Sequence, residues 1–343
     1  MNVSRVVILL LLAASGCGGT ASSAPVALDA APPTALAPAP SPSLTASATP
    51  PPPDVPHGAA PLSERRAHAL SIDLMQRTND AFDGRYPGPP SAVVDDTFVV
   101  IAGDPSAPLD DAAKVTRETV DALWQGPFVH RPDTAVVLWV SSSQPKARAL
   151  MQYRAPGVRS DGLGLYDPRS RQIFVTDGPS GWGTTRHECV HPLLRADFPL
   201  APSWLVEGLP ALFEVAEIDG ERMRFGAHFR LETVRTALTK PEWADQVKLD
   251  TLFTWTTDDA FRKNEALHYG VAREGLRWLH SQGLLWPFYT AWRDGVLDDP
   301  TGEKAFQAVV HKNPAEATEA WIAWLRSEEA EGMVPQAGTA VTP

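Results

Sequence analysis

His187 and His191 stand four residues apart in His187-Glu188-Cys189-Val190-His191, and Glu207 follows in Trp204-Leu205-Val206-Glu207-Gly208. Residues four apart on a helix share one face, one turn apart, so both imidazoles can reach a single ion. Glu207 offers a third donor. Two imidazoles and a carboxylate form a ligand set that suits Zn2+, one per chain, and leaves a coordination position open for water. Glu188 flanks the same face and is placed to take a proton from that water instead of ligating the metal. The chemistry such a set can perform is attack of activated water on a polarised carbonyl.

Plainer readings exist for each of these residues. Thr185-Arg186-His187-Glu188 also reads as a capping box, with the histidines as ordinary polar residues of a helix. Glu207 could face solvent. It lies, however, among Trp204, Leu205, Leu209, Leu212 and Phe213, and a carboxylate buried there needs a partner that a metal would supply. Gly208 costs a helix about 1 kcal/mol, which is accounted for if two helices approach closely at this point. Cys189 sits off the His187/His191 face and reads as a small buried hydrophobe.

The elements that must hold these residues fall into two groups. Before the histidines the chain reads as a helix from Ser63 to about Thr78, a strand over Thr97–Ala102 and a helix over Asp110–Trp124. A nearly all-apolar strand over Ala135–Val140, central in a sheet, and a helix over Gln144–Gln152 follow. A hairpin comes next, with strands at Gly164–Tyr166 and Gln172–Thr176 around the turn Asp167-Pro168-Arg169-Ser170. From Gly183 the chain reads mostly as helix, over Thr185–Arg195, Pro202–Val215, Phe229–Leu238, Asp259–Gln282, Pro287–Arg293 and Glu316–Glu331. Pro192 and Pro210 are expected to bend or shorten the helices that carry the ligands. The fold class is α+β, with a strand-rich lobe over about 61–182, a mostly helical lobe over about 183–334 and the metal residues at their junction.

The His-Glu-x-x-His segment, the short connection, and Trp-Leu-x-Glu-Gly followed by Glu214 resemble the gluzincin branch of zinc metallopeptidases, in particular the peptidase MA-like domains. The match covers about residues 163 to 215. The resemblance implies a zincin-like fold, His187, His191 and Glu207 as zinc ligands, Glu188 as general base and Glu214 as an acidic neighbour of the ligands. It also implies an edge strand beside the site for extended substrate, in the position of Ile173-Phe174-Val175. Gluzincins use a downstream Tyr or His to stabilise the developing oxyanion. Tyr269 and His268 are the candidates here, and the alternative for Tyr269 is packing with Leu276 and Trp278. His228, His280 and His311 show no partner pattern, and Trp278, Trp286, Phe288, Tyr289 and Trp292 read as helix packing.

The two ends of the 343-residue chain carry other information. Arg5 followed by the apolar run Val6 to Ala14 reads as a secretory signal over 1–17. Ala14-Ser15-Gly16-Cys17 resembles a bacterial lipoprotein processing site, which makes Cys17 the lipidated residue and tethers the chain to the cell envelope. Plain secretion and an uncleaved anchor are the alternatives. Gly18 is not the Asp that marks inner-membrane retention, which favours the outer membrane. Residues 18–60 are rich in Pro, Ala and Ser and read as an extended linker, and 335–343 as a flexible tail. A formal net charge of -11 argues against nucleic acid as a partner. With Cys17 acylated, Cys189 has no disulfide partner.

Three accounts remain open at this level. The first is an envelope-anchored zinc peptidase acting on peptide or protein substrates. The second is a catalytically inactive, zincin-like binding or scaffolding lipoprotein. The third is a structural lipoprotein in which the motif is fortuitous.

Overall fold

Five apolar strands build a mixed sheet in the order β1-β2-β3-β5-β4, from β1 (Ser91–Val94), β2 (Phe98–Ala102), β3 (Val136–Ser141), β4 (Leu165–Asp167) and β5 (Gln172–Thr176). The neighbours β2, β3 and β5 run parallel, and the outer strands β1 and β4 are antiparallel to theirs. The computed structural model describes residues 91–335 apart from 96, 133–134, 159–162, 177–181 and 221. The expected signal segment, linker and first helix lie outside the described residues. So does the tail beyond Pro335.

The central strands are apolar throughout because both faces of the sheet are covered. Phe98, Val100, Val136, Leu138 and Ile173 join the main core, which α1 (Leu109–Gln125) enters through Val120 and Leu123. On the opposite face, Val99, Ile101, Val137, Trp139 and Phe174 pack with Leu150 and Met151 of α2 (Gln144–Arg154). Ile173-Phe174-Val175, expected at the sheet edge, is internal. The edge is β4, a strand of three residues whose brevity hides its role in the sequence. The turn between β4 and β5 forms where expected, with the Asp167 carboxylate accepting from the amides of Arg169 and Ser170.

A mostly helical region follows. It comprises α3 (Gly183–Asp197), α4 (Ser203–Phe213), α5 (Phe229–Leu238), α6 (Pro241–Ala244), α7 (Leu249–Leu252), α8 (Asp258–Arg262), α9 (Glu265–Ser281), α10 (Leu285–Gly295), α11 (Glu303–Val310) and α12 (Pro314–Leu325). Several boundaries differ from those expected. The stretch Asp259–Gln282 divides into α8 and α9, and Asn264 is the residue before the longer helix. Helix α12 ends at Leu325 and gives way to a 3-10 turn over Glu329–Glu331. Helix α3 begins two residues before Thr185, so the capping box does not form, and the buried Thr185 hydroxyl has no hydrogen-bond partner among the described residues. Both Pro192 and Pro210 lie inside helices that continue past them. Each removes one amide donor, so the carbonyls of Glu188 and Val206 lose their intrahelical partners.

A second sheet was not expected. Strands β6 (Ala216–Asp219) and β7 (Arg222–Phe225) form a hairpin, and β8 (Val334–Pro335) pairs with β7. Gly220 in the turn has φ of 59°, a conformation that glycine adopts without strain. Met223 and Phe225 point inward and Arg222 and Arg224 outward, the alternation of a half-buried strand.

Two buried polar clusters fix the frame around α3 and α4. The Asp197 carboxylate, at the end of α3, accepts from the amides of Val129 (2.7 Å) and His130 (2.8 Å), from the Tyr289 hydroxyl (2.6 Å) and from Arg293 (2.9 Å). It thereby joins the segment after α1 to α10. Burial opposes ionisation of Asp197, but these donors outweigh it and hold the carboxyl below its usual range. On α9, Arg273 and Arg277 flank Glu274 with no side-chain exposure. Arg273 also donates to the carbonyls of Ala211 and Gly226, and Arg277 to that of Ala330.

Removing the Asp197 carboxylate would leave buried donors and a cation without their acceptor. Asp197→Ala is expected to lower stability by about 3–5 kcal/mol in urea unfolding at pH 7. The folded carboxyl is depressed relative to the unfolded one. Its contribution is therefore present above the usual carboxylate pKa and is lost as pH falls through the folded value. The gap between wild type and variant should close in acid, and a gap that stays constant down to pH 2 would show that ionised Asp197 is not the source.

Candidate metal centre

Helix α3 presents His187 and His191 on one face, their rings 4.9 Å apart between centroids and edge-on at 71°. Helix α4 packs against α3 and brings Glu207 to them. Its Oε2 lies 4.0 Å from Nε2 of His187 and 4.0 Å from Nε2 of His191. One donor atom from each of the three residues falls within 4.8 Å of the others. That spacing is closed around one cation by small side-chain rotations, since zinc takes such donors at about 2.0–2.2 Å. The donor chemistry, two imidazoles and a carboxylate in a cleft with His187 buried, suits a divalent metal ion.

Close backbone approach explains why these helices sit where they do. A Cβ on Gly183, at the start of α3, would stand 2.3 Å from the Glu214 carbonyl oxygen, just past the end of α4. Only glycine allows that approach, and it seats Glu214 beside His187. A Cβ on Gly208 would meet the Ala272 Cβ at 2.9 Å, so α4 and α9 cross with no space for a side chain. That crossing carries Tyr269 of α9 onto Glu207 of α4, where the phenol donates to Oε2, the same oxygen that faces the histidines.

Glu188 is buried beside the trio. Burial pushes its carboxyl up to about 7; the Glu207 charge adds to this, and His187 opposes it. The Tyr166 backbone, on edge strand β4, hydrogen-bonds the same carboxylate. Gly164, just before β4, leaves the space that Glu188 fills. A Cβ there would stand 3.0 Å from the Glu188 Cγ and 2.5 Å from the Thr184 methyl. The Tyr166 ring lies nearly parallel to His191, with centroids 6.3 Å apart. Burial drives His191 well below the usual imidazole range, which favours the neutral form that binds metal.

Glu214 is a hub behind the ligands. Its Oε1 lies 2.9 Å from Nδ1 of His187, an ion-pair approach that is bent away from good hydrogen-bond geometry. His228 Nε2 approaches the other oxygen at 3.2 Å, and Arg230 forms a close ion pair with it. Burial opposes the charge of Glu214, but His187, Arg230 and His228 outweigh it and hold the carboxyl at about 2. Burial likewise works against a charge on His187, and the pairing with Glu214 and the nearby carboxylates reverses that effect. Glu214 lies against Nδ1 of His187 and leaves Nε2 facing Glu207, the side from which an outer carboxylate orients a metal-binding histidine.

The other candidates lie elsewhere or in altered roles. His268 is turned to the Phe261 carbonyl (2.7 Å) and the Gln246 side chain (3.2 Å), and it stacks on Trp255 with centroids 3.7 Å apart. It makes no contact with the trio among the described residues. Cys189 is fully buried and its thiol is pushed up to about 12 by burial, as expected of a packing residue. His280 accepts a core position against the Met223 carbonyl. His228 differs from expectation, because its partner Glu214 is adjacent only in space. Gly164, Tyr166, Gly183 and Arg230 were likewise not singled out beforehand, since each meets the site through tertiary packing. Cys17 lies outside the described residues.

No protein-family model matches the chain, and no curated protein matches it. What the fold and site define is an α+β protein with a candidate centre for a divalent metal.

If Glu214 orients His187, Glu214→Ala should weaken zinc binding by about 10–100-fold, as outer carboxylates do elsewhere. Competition with a fluorescent chelator reads this directly. An unchanged dissociation constant would assign Glu214 to folding alone.

Proposed function

We propose that the chain is a zinc-dependent peptidase of the gluzincin type, with a peptidase MA-like domain. The observation that carries this reading is the convergence of His187, His191 and Glu207 with the buried carboxylate of Glu188 beside an edge strand. When bound, zinc supplies Lewis acidity, polarising a carbonyl and making water a better acid. His187, His191 and Glu207 would hold it. Glu188, raised toward neutrality by burial, accepts the proton from water and returns it to the leaving amine. Strand β4, the sheet edge among the described residues, would offer extended substrate a strand to pair with, and the pairing would lay a peptide near the Glu188 carboxylate. Tyr269, already at Glu207, is the residue placed to stabilise the developing oxyanion once its hydroxyl turns from that carboxylate.

The same reading proposes a zincin-like arrangement of the two regions and places the protein in a bacterial cell envelope. Cys17 would carry the lipid anchor at the outer membrane, and the linker of 18–60 would hold the folded region away from the membrane surface. Peptides or proteins are the proposed substrates, and the acidic net charge supports a partner other than nucleic acid.

Glu188→Gln separates this account from a binding protein with the same metal site. The variant should keep about one zinc per chain while peptide-library cleavage falls by about 10²–10⁴-fold, the usual contribution of a positioned base. Cleavage that survives the substitution, or a wild type that binds zinc and cuts no peptide, would remove the catalytic reading.

A further inference from the structure

Arg230 borders the candidate centre through Glu214, which it shares with His187 and His228. Its guanidinium lies between two aromatic rings, 5.0 Å from the Phe229 centroid and 5.2 Å from that of Tyr269. Nη1 is engaged by Glu214 and by Nδ1 of His228 at 3.1 Å. Nε and Nη2 have no hydrogen-bond partner among the described residues, and neither is sealed from solvent. Phe229, which covers one face of the guanidinium, is 69 % exposed. A large aromatic held at the surface next to a guanidinium with one edge unused is a recognition feature, because the Glu214 pair accounts for Nη1 and leaves the Nε–Nη2 edge free to receive a ligand.

We propose that Arg230 receives a substrate carboxylate through its Nε–Nη2 edge. This deepens, and rests on, the peptidase reading. Two parallel N–H groups on one edge match the two oxygens of a carboxylate, and a single carbonyl would use only one of them. Glu214 does not exhaust the charge of Arg230, since it is shared with His187 and His228. The rings of Phe229 and Tyr269 lie against the guanidinium and shield it in part, which strengthens the pairing. Tyr269 also sets the distance: its ring touches Arg230 and its hydroxyl touches Glu207. One phenol therefore separates the carboxylate site from the candidate metal ligands. An extended chain rises about 3.3 Å per residue, so the recognised group lies one or two residues from the scissile bond. Two sources share this chemistry, an Asp or Glu side chain near the cut and the free C-terminus of a short peptide.

The test uses the zinc-loaded Glu188→Gln protein, which prevents turnover, and calorimetric binding of matched peptides. One arm compares Glu with Gln at positions flanking the cleavage site. The other compares a free with an amidated C-terminus. At least one carboxylate peptide is expected to bind tenfold or more tightly than its neutral match, and the arm that shows the margin identifies the source. Adding Arg230→Lys keeps a cation for Glu214 but removes the fork. Zinc stoichiometry should stay at one, and the margin should fall below about threefold. No margin in either arm, no measurable peptide binding, or a margin untouched by Arg230→Lys would overturn the proposal. A margin present in a protein whose wild type cuts nothing would keep the carboxylate site and discard the peptidase.

Discussion

Three carboxylates and two imidazoles gathered in one largely water-shielded cluster impose the constraint around which this molecule is organised. Glu188, Glu207 and Glu214 lie close enough to perturb one another, and burial, with the Glu207 charge adding to it, pushes Glu188 up to about 7. Such a cluster is costly unless positive charge balances it. Arg230 and His228 supply part of the balance at Glu214, and His187 supplies more. A divalent cation between His187, His191 and Glu207 would supply the rest. The arrangement thus divides labour among three similar side chains. Glu214 is kept ionised by its cations, Glu207 faces the imidazoles, and Glu188 is set apart by burial as the carboxyl most readily protonated.

Holding that cluster together requires backbones closer than side chains normally permit. Gly183 lets α3 touch the end of α4, and Gly208 lets α4 touch α9. Each contact places one chemical group: Glu214 against His187 in the first case, Tyr269 against Glu207 in the second. Polar anchors further out resist movement of the same helices. Asp197 ties the end of α3 to α10 and to the segment after α1. The Arg273–Glu274–Arg277 group ties α9 to the carbonyls of Ala211, Gly226 and Ala330. These groups sit in the core, and their role emerges only from packing.

What could be read from the chain beforehand follows from the range of each interaction. The His187/His191 pair is set by helical periodicity, and the apolar setting of Glu207 marked it as needing a partner. The apolar run over Ala135–Val140 announced a central strand for the same local reason. The β6–β7 hairpin escaped notice although Asp219-Gly220 between alternating residues is a recognisable turn. The strong helical pattern on either side drew attention from it. The assignment of Ile173-Phe174-Val175 to the sheet edge failed because strand order is not a local property, and β4 is too short to signal itself. Gly164, His228 and Arg230 could not be linked to the site by spacing at all. They reach it from β4 and from α5, elements that meet α3 and α4 only in the folded chain.

The central claim is that His187, His191 and Glu207 hold one zinc ion. Elemental analysis of the purified folded region, wild type beside His191→Ala and Glu207→Ala, tests it most directly. About one zinc per wild-type chain, lost or greatly weakened in both variants while circular dichroism shows them folded, is the predicted result. A wild type that takes up no zinc after reconstitution, or variants that retain it in full, would contradict the account.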